Sequence, residues 1–236
     1  MIRIKMSDGP AIVLYSGGLD STTLLWKLRE EGPVKALLFH YGQRHATELS
    51  YASKLCDYFH IPYEIADLRP INKLISKGSQ SGSELPPDGH YSDLSMKTTI
   101  VPNRNSIMLS IAVGHAVAID SSDVYFAAHA GDHAIYPDCR DVFVERFADA
   151  MYLANEWSPV FVHAPFVHML KQDIVKLGNN LGVPFQLTWS CYKGGETHCG
   201  KCGTCVERKE AFQLAEINDP TVYQIAEGTS AEKEEG

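Results

Sequence analysis

The sequence lacks several things, and each shortage narrows what the chain can be. No apolar run is long enough for a membrane: the longest, 106–119, carries His115 and falls short of the ~18–20 residues a span requires. Residues 1–8 hold no apolar stretch before a small-residue cleavage site, so nothing there marks export and a cytoplasmic setting is expected. Basic charge is in deficit: 21 Lys and Arg stand against 29 Asp and Glu, a formal net charge of −8. The last ten residues, 227–236, carry four acids and one lysine, which leaves −5 on the body. That balance opposes broad binding to a nucleic-acid backbone. No internal repeat is visible. With 44% hydrophobic and 21% charged residues, the composition is globular rather than collagenous, disordered or membranous. The 236 residues allow one large domain or two small ones.

Cysteine is sparse except in one place. Cys56 and Cys139 stand alone, whereas Cys191, Cys199, Cys202 and Cys205 fall within fifteen residues. Disulfides are rare in the cytosol, so this clustering points to metal. Four thiolates suffice for a closed tetrahedral zinc site, structural because no position stays open. Gly194-Gly195 lets Cys191 fold back toward the other three. An iron–sulfur cluster also takes four cysteines, and a redox Cys-x-x-Cys would leave two unexplained. His198 is a competing ligand, though adjacency to Cys199 makes joint ligation awkward.

Between Ala11 and Thr188 short apolar runs alternate with longer segments of helical period, the pattern of βαβ units around a parallel sheet. Strands are expected at 11–15, 34–39, 63–66, 123–128 and 160–163. Helices are expected at 22–31, 43–60, 103–119, 141–154 and 170–181, with a short one after the cysteines. The 103–119 segment is apolar on nearly every side, as a helix buried between layers would be. Residues 69–99 are aperiodic and rich in Ser, Gly and Pro, and read as a lid-like insertion. The expected organisation is an α/β unit over 1–188 carrying that insertion, a metal-stapled lobe over 189–227, and a disordered acidic tail over 228–236.

The sharpest motif joins the first strand to the first helix. Tyr15 is followed by Ser16-Gly17-Gly18-Leu19-Asp20-Ser21-Thr22-Thr23. Glycines let a backbone turn tightly and approach an anion with no Cβ in the way. The helix beyond aims free N–H groups and its positive dipole end at that anion. Ser16, Ser21 and Thr22 add hydroxyls, and Asp20 or Ser21 is placed to cap the helix. There is no Lys of the GxxxxGKS kind, and the glycine spacing is wrong for a dinucleotide loop. Ser-Gly-Gly-Leu-Asp-Ser resembles the pyrophosphate loop of the N-type ATP pyrophosphatases, which cleave ATP between the α and β phosphates and pass AMP to a substrate oxygen. That resemblance implies an ATP site from Tyr15 through Thr23, with the adenine beside Tyr41 and Gly42 at the end of the second strand.

Three further stretches bring polar residues to strand ends or helix starts. They are Val101-Pro102-Asn103-Arg104-Asn105, Ala128-His129-Ala130-Gly131-Asp132 and Tyr136-Pro137-Asp138-Cys139-Arg140-Asp141. Singly each has a plain structural explanation: Asp138 or Asp141 as a helix cap, Arg104 as a surface cation, Cys139 as a small buried residue. The whole ordered series also includes Tyr41-Gly42-Gln43-Arg44-His45 and the Thr188-Trp189-Ser190-Cys191 lead into the cysteines. From Ala11 to about Tyr223 it resembles the QueC family of queuosine-pathway enzymes. One departure is Asn103, where that family more often has glycine.

The resemblance implies a Rossmann-like open parallel sheet of the adenine nucleotide alpha hydrolase-like (HUP) kind, with a small C-terminal zinc-binding lobe built on the four clustered cysteines. It also implies a ligase reaction. The carboxylate of 7-carboxy-7-deazaguanine attacks the α-phosphate of ATP, ammonia displaces AMP to give the amide, and a second ATP adenylates the amide oxygen before the nitrile, 7-cyano-7-deazaguanine, forms. Asp20, Arg104, Asp132, Asp138 and Arg140 are the implied catalytic residues. Arg104 and Arg140 would offset charge at the α-phosphate, and Asp132 or Asp138 would hold Mg²⁺ or read the donor edge of the base. Gln43, Arg44, Asn105 and Tyr136 are implied substrate contacts, with Phe39 the alternative to Tyr136 for stacking. The implied partners are small molecules, with no nucleic acid and no membrane, and a homodimer follows from likeness alone. Three rivals remain: a variant that stops at the amide, a related pyrophosphatase acting on tRNA, and a nucleotide-binding sensor without turnover. A tRNA enzyme should carry a basic face or an RNA-binding module. A sensor has no need of the full polar set.

Overall fold

Ala11–Leu14 (β1) is an aliphatic run and Val34–His40 (β2) is apolar from Ala36 to Phe39, as strands covered on both faces require. They pair in parallel, from Ala11 opposite Val34 to Leu14 opposite Leu37. Tyr63–Asp67 (β3) lies beyond β2, while Asp123–Tyr125 (β4) and Phe161–His163 (β5) continue the sheet on the other side of β1. The order is β3-β2-β1-β4-β5, every pair parallel. This computed structural model describes residues 9–42, 47–75 and 87–224. The chain leaves the sheet after β3 and re-enters at β4, beside β1. That reversal makes a crevice at the carboxyl ends of β1 and β4.

Seven helices cover the sheet among the described residues: Leu19–Glu31 (α1), Thr47–Tyr58 (α2), Asn72–Ile75 (α3), Arg104–Ala118 (α4), Asp141–Ala154 (α5), Lys171–Asn180 (α6) and Gly203–Ala215 (α7). On one face Leu24, Leu25, Leu55, Ile174 and Phe212 bury α1, α2, α6 and α7 in one apolar layer. On the other, Leu109, Ala112 and Val144 bury α4 and α5. The helix after the cysteines is part of the main core: Phe212 of α7 meets Phe185 edge-on at 5.1 Å between ring centroids. Arg208 of the same helix is fully buried and donates to Thr188 Oγ1 at 2.7 Å, the Phe185 carbonyl at 3.0 Å and Asp219 Oδ1 at 3.2 Å.

Several boundaries differ from the expectation, each for a local reason. β4 stops at Tyr125 rather than 128, because its neighbour β5 ends at His163; Phe126, Ala127 and Ala128 are released to line the crevice. The α1 helix starts at Leu19, not 22, directly behind Gly18. The α4 helix is covered on one side only: Ser110, Gly114 and Ala118, four apart and small, form an exposed stripe. In the 69–99 insertion, turns of 3-10 helix at Arg69–Ile71 and Leu94–Thr99 flank its ends. Residues 76–86 of the insertion, and the proposed acidic tail, lie outside the described residues.

Candidate active site

Gly17 has φ +80°, and a Cβ there would stand 2.9 Å from the Cβ of Ala52 on α2, so this turn requires glycine. Gly18 then runs extended and is the N-cap of α1, with no side chain closing that end. The first amides of a helix have no internal partner, so an uncapped start of this kind is suited to an anion. The expectation that Asp20 or Ser21 caps the helix is thereby corrected: both lie inside its first turn. Ser16 and Ser21 are tied Oγ to Oγ at 3.1 Å, and the Ser16 amide donates to Ser21 Oγ at 3.3 Å. Thr22 and Thr23 are fully buried and turn their hydroxyls back to the carbonyls of Gly18 (2.7 Å) and Leu19 (2.9 Å).

A cavity of about 270 Å³ opens over this loop, walled by the ends of β1 and β2 and by the residues released from β4. Its charged end is organised by Lys171, at the first position of α6. The ammonium lies 3.1 Å from Asp20 Oδ2 and 2.6 Å from Glu207 Oε2. His129 Nε2 stands 3.6 Å from Asp132 Oδ2 and 3.8 Å from Asp20 Oδ2. Burial alone would raise the Asp20 pKa, but Lys171, and after it His129, reverse that and hold the carboxyl below its usual range. The Lys171 pKa is raised, because Asp20 and Glu207 outweigh the burial that would lower it. Asp20 Oδ1 is a buried oxygen with no hydrogen-bond partner. Asp132 lines the same cavity. Mg²⁺ takes one or two carboxylates together with phosphate oxygens, so this pair fits it.

The other end of the cavity is aromatic. The Arg104 guanidinium lies 5.8 Å from the centroid of the Tyr136 ring, whose hydroxyl is 2.6 Å from Thr99 Oγ1. Tyr41 and Tyr192 complete the group, with Glu48 from the first turn of α2. Burial pushes the half-buried Glu48 carboxyl up to about 7, with Arg104 pulling the other way. Burial likewise pushes Tyr41 up to about 12 and Tyr192 well above its ordinary value.

Beside this end, the ligand atoms of Cys191, Cys199, Cys202 and Cys205 lie within 4.8 Å of one another. A single zinc ion with sulfur at ~2.3 Å sets its tetrahedral ligands about 3.8 Å apart. Cys199 Sγ and Cys205 Sγ are 3.9 Å apart, so the cluster has the size of a one-ion site. In a [4Fe–4S] cluster each thiolate binds its own iron, and in a [2Fe–2S] cluster they divide between two, so four sulfurs do not all close on one point. His198 Nε2 instead accepts the Ser190 amide at 3.0 Å, which commits it to the scaffold. The cysteine segment is stitched to the phosphate loop: the Trp189 amide donates to the Gly17 carbonyl, and its indole to the Cys191 carbonyl, both at 2.9 Å.

The family model of the queuosine biosynthesis protein QueC matches residues 10–216. The chain belongs to the QueC family. Relatives named 7-cyano-7-deazaguanine synthase include one from Caldicellulosiruptor bescii, 46% identical over 216 residues, or 91% of this chain and 97% of that protein. Another, from Archaeoglobus fulgidus, is 51% identical over 211 residues, or 89% of this chain and 88% of that protein. Among solved structures, an NMN synthetase from Francisella tularensis is similar at 14% identity and a TM-score of 0.49, over 90% of this chain and 79% of that chain.

For this QueC family member, the structure distributes the residues singled out in the sequence unevenly. Tyr15, Ser16, Gly18, Asp20 and Ser21 line the cavity from the loop side, and Tyr41, Arg104, Asn105, Asp132 and Tyr136 from the others, with Phe39 beside them. Leu19 is in the core, and Gly42, at φ +77°, is packed against Asn72. Asp138 is outside the lining and accepts the Asn105 amide at 3.3 Å, steadying the start of α4. Arg140 is exposed and donates to the His133 carbonyl at 2.9 Å. Gln43 and Arg44 lie outside the described residues. Asn103 is exposed with φ +55°, a left-handed position that asparagine tolerates better than most residues; it takes the backbone shape for which glycine is suited. Glu48, Lys171, Glu207 and Tyr192 escaped the sequence reading. Lys171 opens the helix that follows β5, and the carboxyl end of that strand was the available signal.

Proposed function

We propose that this chain converts 7-carboxy-7-deazaguanine and ammonia to 7-cyano-7-deazaguanine with ATP, releasing AMP and diphosphate. The observation that carries the reading is one cavity joining an uncapped phosphate loop to an aromatic, arginine-bearing wall, in a member of the QueC family. Ser16, Ser21 and the open amides behind Gly18 would hold the leaving diphosphate, in the field of the α1 dipole. Lys171, paired with Asp20 and Glu207 behind the loop, would keep Asp20 ionised. Asp20 and Asp132 would hold Mg²⁺, which when bound neutralises phosphate charge. Arg104 is the cavity cation nearest the aromatic wall, suited to draw the substrate carboxylate, and later the amide oxygen, against the α-phosphate. Arg140 and Asp138 would support this arrangement through the loop between β4 and α5.

The four-cysteine site fits one Zn²⁺, held structurally and shaping the wall through Trp189 and Tyr192. We further propose a phosphate-binding unit over 1–188, a zinc-stapled segment over 189–227, a cytoplasmic setting and a homodimer. No described helix is long and apolar enough to cross a membrane. Leu153, Trp157 and Phe161, exposed beside edge strand β5, offer an apolar surface for the second copy. The test is direct. Pure protein given ATP, ammonium and 7-carboxy-7-deazaguanine should release AMP and diphosphate and yield the nitrile by mass. ADP and phosphate would overturn the reading, and accumulation of the amide alone would mark a variant that stops halfway.

A further inference from the structure

The cavity lining holds three acids among the described residues, Asp20, Asp132 and Glu48. Asp20 and Asp132 stand at the loop end, within ion-pair distance of Lys171 or His129. Glu48 stands apart from them. Among the described residues no ion pair or hydrogen bond holds its carboxylate, and the charge it feels is that of Arg104. Its place is fixed by packing, since Leu49 and Ala52 on the same helix are set into the core. Flat rings of Tyr41 and Tyr192 share its neighbourhood.

We infer that Glu48 reads the base, its two carboxylate oxygens accepting the ring N1–H and the exocyclic 2-amino N–H of the deazaguanine. The inference rests on the proposed function for the identity of that base. A carboxylate offers two parallel acceptors, and a guanine-type edge offers two adjacent donors, so the pair is matched in number and spacing. An adenine edge presents one amine beside a ring nitrogen lone pair, which repels the second oxygen. Glu48 therefore selects the substrate base and also keeps the adenine of ATP out of the base position. Arg104, on the same wall, is the cation that would meet the carbonyl or carboxylate of that substrate.

The experiment compares AMP release from 7-carboxy-7-deazaguanine and from 7-carboxy-7-deazahypoxanthine, which lacks the 2-amino group, in wild type and Glu48→Gln. Wild type should favour the deazaguanine by roughly 10- to 100-fold in kcat/KM, the worth of a hydrogen bond to a charged group. In Glu48→Gln the KM for the deazaguanine should rise by a similar factor and the preference should collapse toward one, with the KM for ATP unmoved. A preference that persists in the variant overturns the assignment, and so does a rise confined to the KM for ATP, which would give Glu48 to the adenine. If Glu48→Gln melts too early to assay, Glu48→Asp keeps the charge on a shorter arm; it should weaken the deazaguanine and keep the preference, and any other pattern counts against the proposal. A wild type that releases no AMP with either base defeats the proposed function itself, and this assignment with it.

Discussion

Asp20 and Glu48 line the same cavity, yet burial acts on them with opposite net results. At the phosphate-loop end, Lys171 and His129 surround Asp20 and more than reverse the penalty of burying its charge. At the aromatic end, Arg104 only partly offsets the burial of Glu48, whose carboxyl rises to about 7. The charge of one acid is more than offset by its neighbours, whereas that of the other is offset only in part. Pairs of ionisable groups driven apart in this way mark sites where chemistry is divided between them. The difference teaches that position within one cavity, through the cations each acid meets, decides the sign of its shift.

The severest way to break the comparison is to remove the wall both ends share. Cys202→Ser should lose the metal and unfold the C-terminal segment, because a structural zinc contributes on the order of 10 kcal/mol to folding. Elemental analysis and thermal melting check this, and a metal-free variant that melts like wild type would refute the structural role. Asp20→Ala breaks one end only. AMP release should fall at least ~1,000-fold while the fold persists by circular dichroism. A folded variant at wild-type rate would reject the loop assignment.

Smaller effects sharpen the contrast, because the two acids should move the melting temperature in opposite directions. Asp20 has a lowered folded-state pKa, so it adds stability that is present above 3.8 and lost as pH falls through the lowered value. Asp20→Asn, without ligand or Mg²⁺, should cost about 2 kcal/mol at pH 7, the penalty shrinking below pH 4. Glu48 has a raised folded-state pKa, so its cost is absent below 4.5, grows between 4.5 and about 7, and is complete above. Glu48→Gln should therefore stabilise the free protein at pH 8 by about 1 kcal/mol after allowing for solvent screening, and change little at pH 4. Melting curves that shift in the same direction at pH 8 would dissolve the contrast. Least of all, Asn103→Gly should leave nitrile formation intact and change stability by no more than about 1 kcal/mol, since both residues accept φ +55°. A switch from amide to nitrile product on this change would instead make Asn103 decisive.

Much of this was legible in the sequence, for identifiable reasons. Buried parallel strands announce themselves as short apolar runs, as β1 and β2 do, and each of the five expected strands overlaps an observed one; β3, at the sheet edge, is not buried as expected, because it has a neighbour on one side only. The phosphate loop and the cysteine cluster were legible because each is contiguous: spacing along the chain is itself the geometry. Glu48, Lys171 and Glu207 were not. On its own helix each is an ordinary polar residue, and it acquires meaning only when the strand order brings α2, α6 and α7 over one crevice. Asp138 and Arg140 illustrate the converse. They adjoin Tyr136 in a polar run, yet a tight 3-10 turn at Pro137–Cys139 directs them to Asn105 and His133 instead of the cavity.

The wedge of Gly17 against Ala52 and the tie between Ser16 and Ser21 have a consequence for rates. The loop takes its shape when α1 and α2 pack, so on the proposed function an incoming nucleotide meets Ser16–Ser21 already in place. Capture of ATP should then behave as a single bimolecular encounter. In stopped flow its observed rate should climb in proportion to ATP concentration without reaching a plateau, leaving the slow steps of turnover to the chemistry on the base.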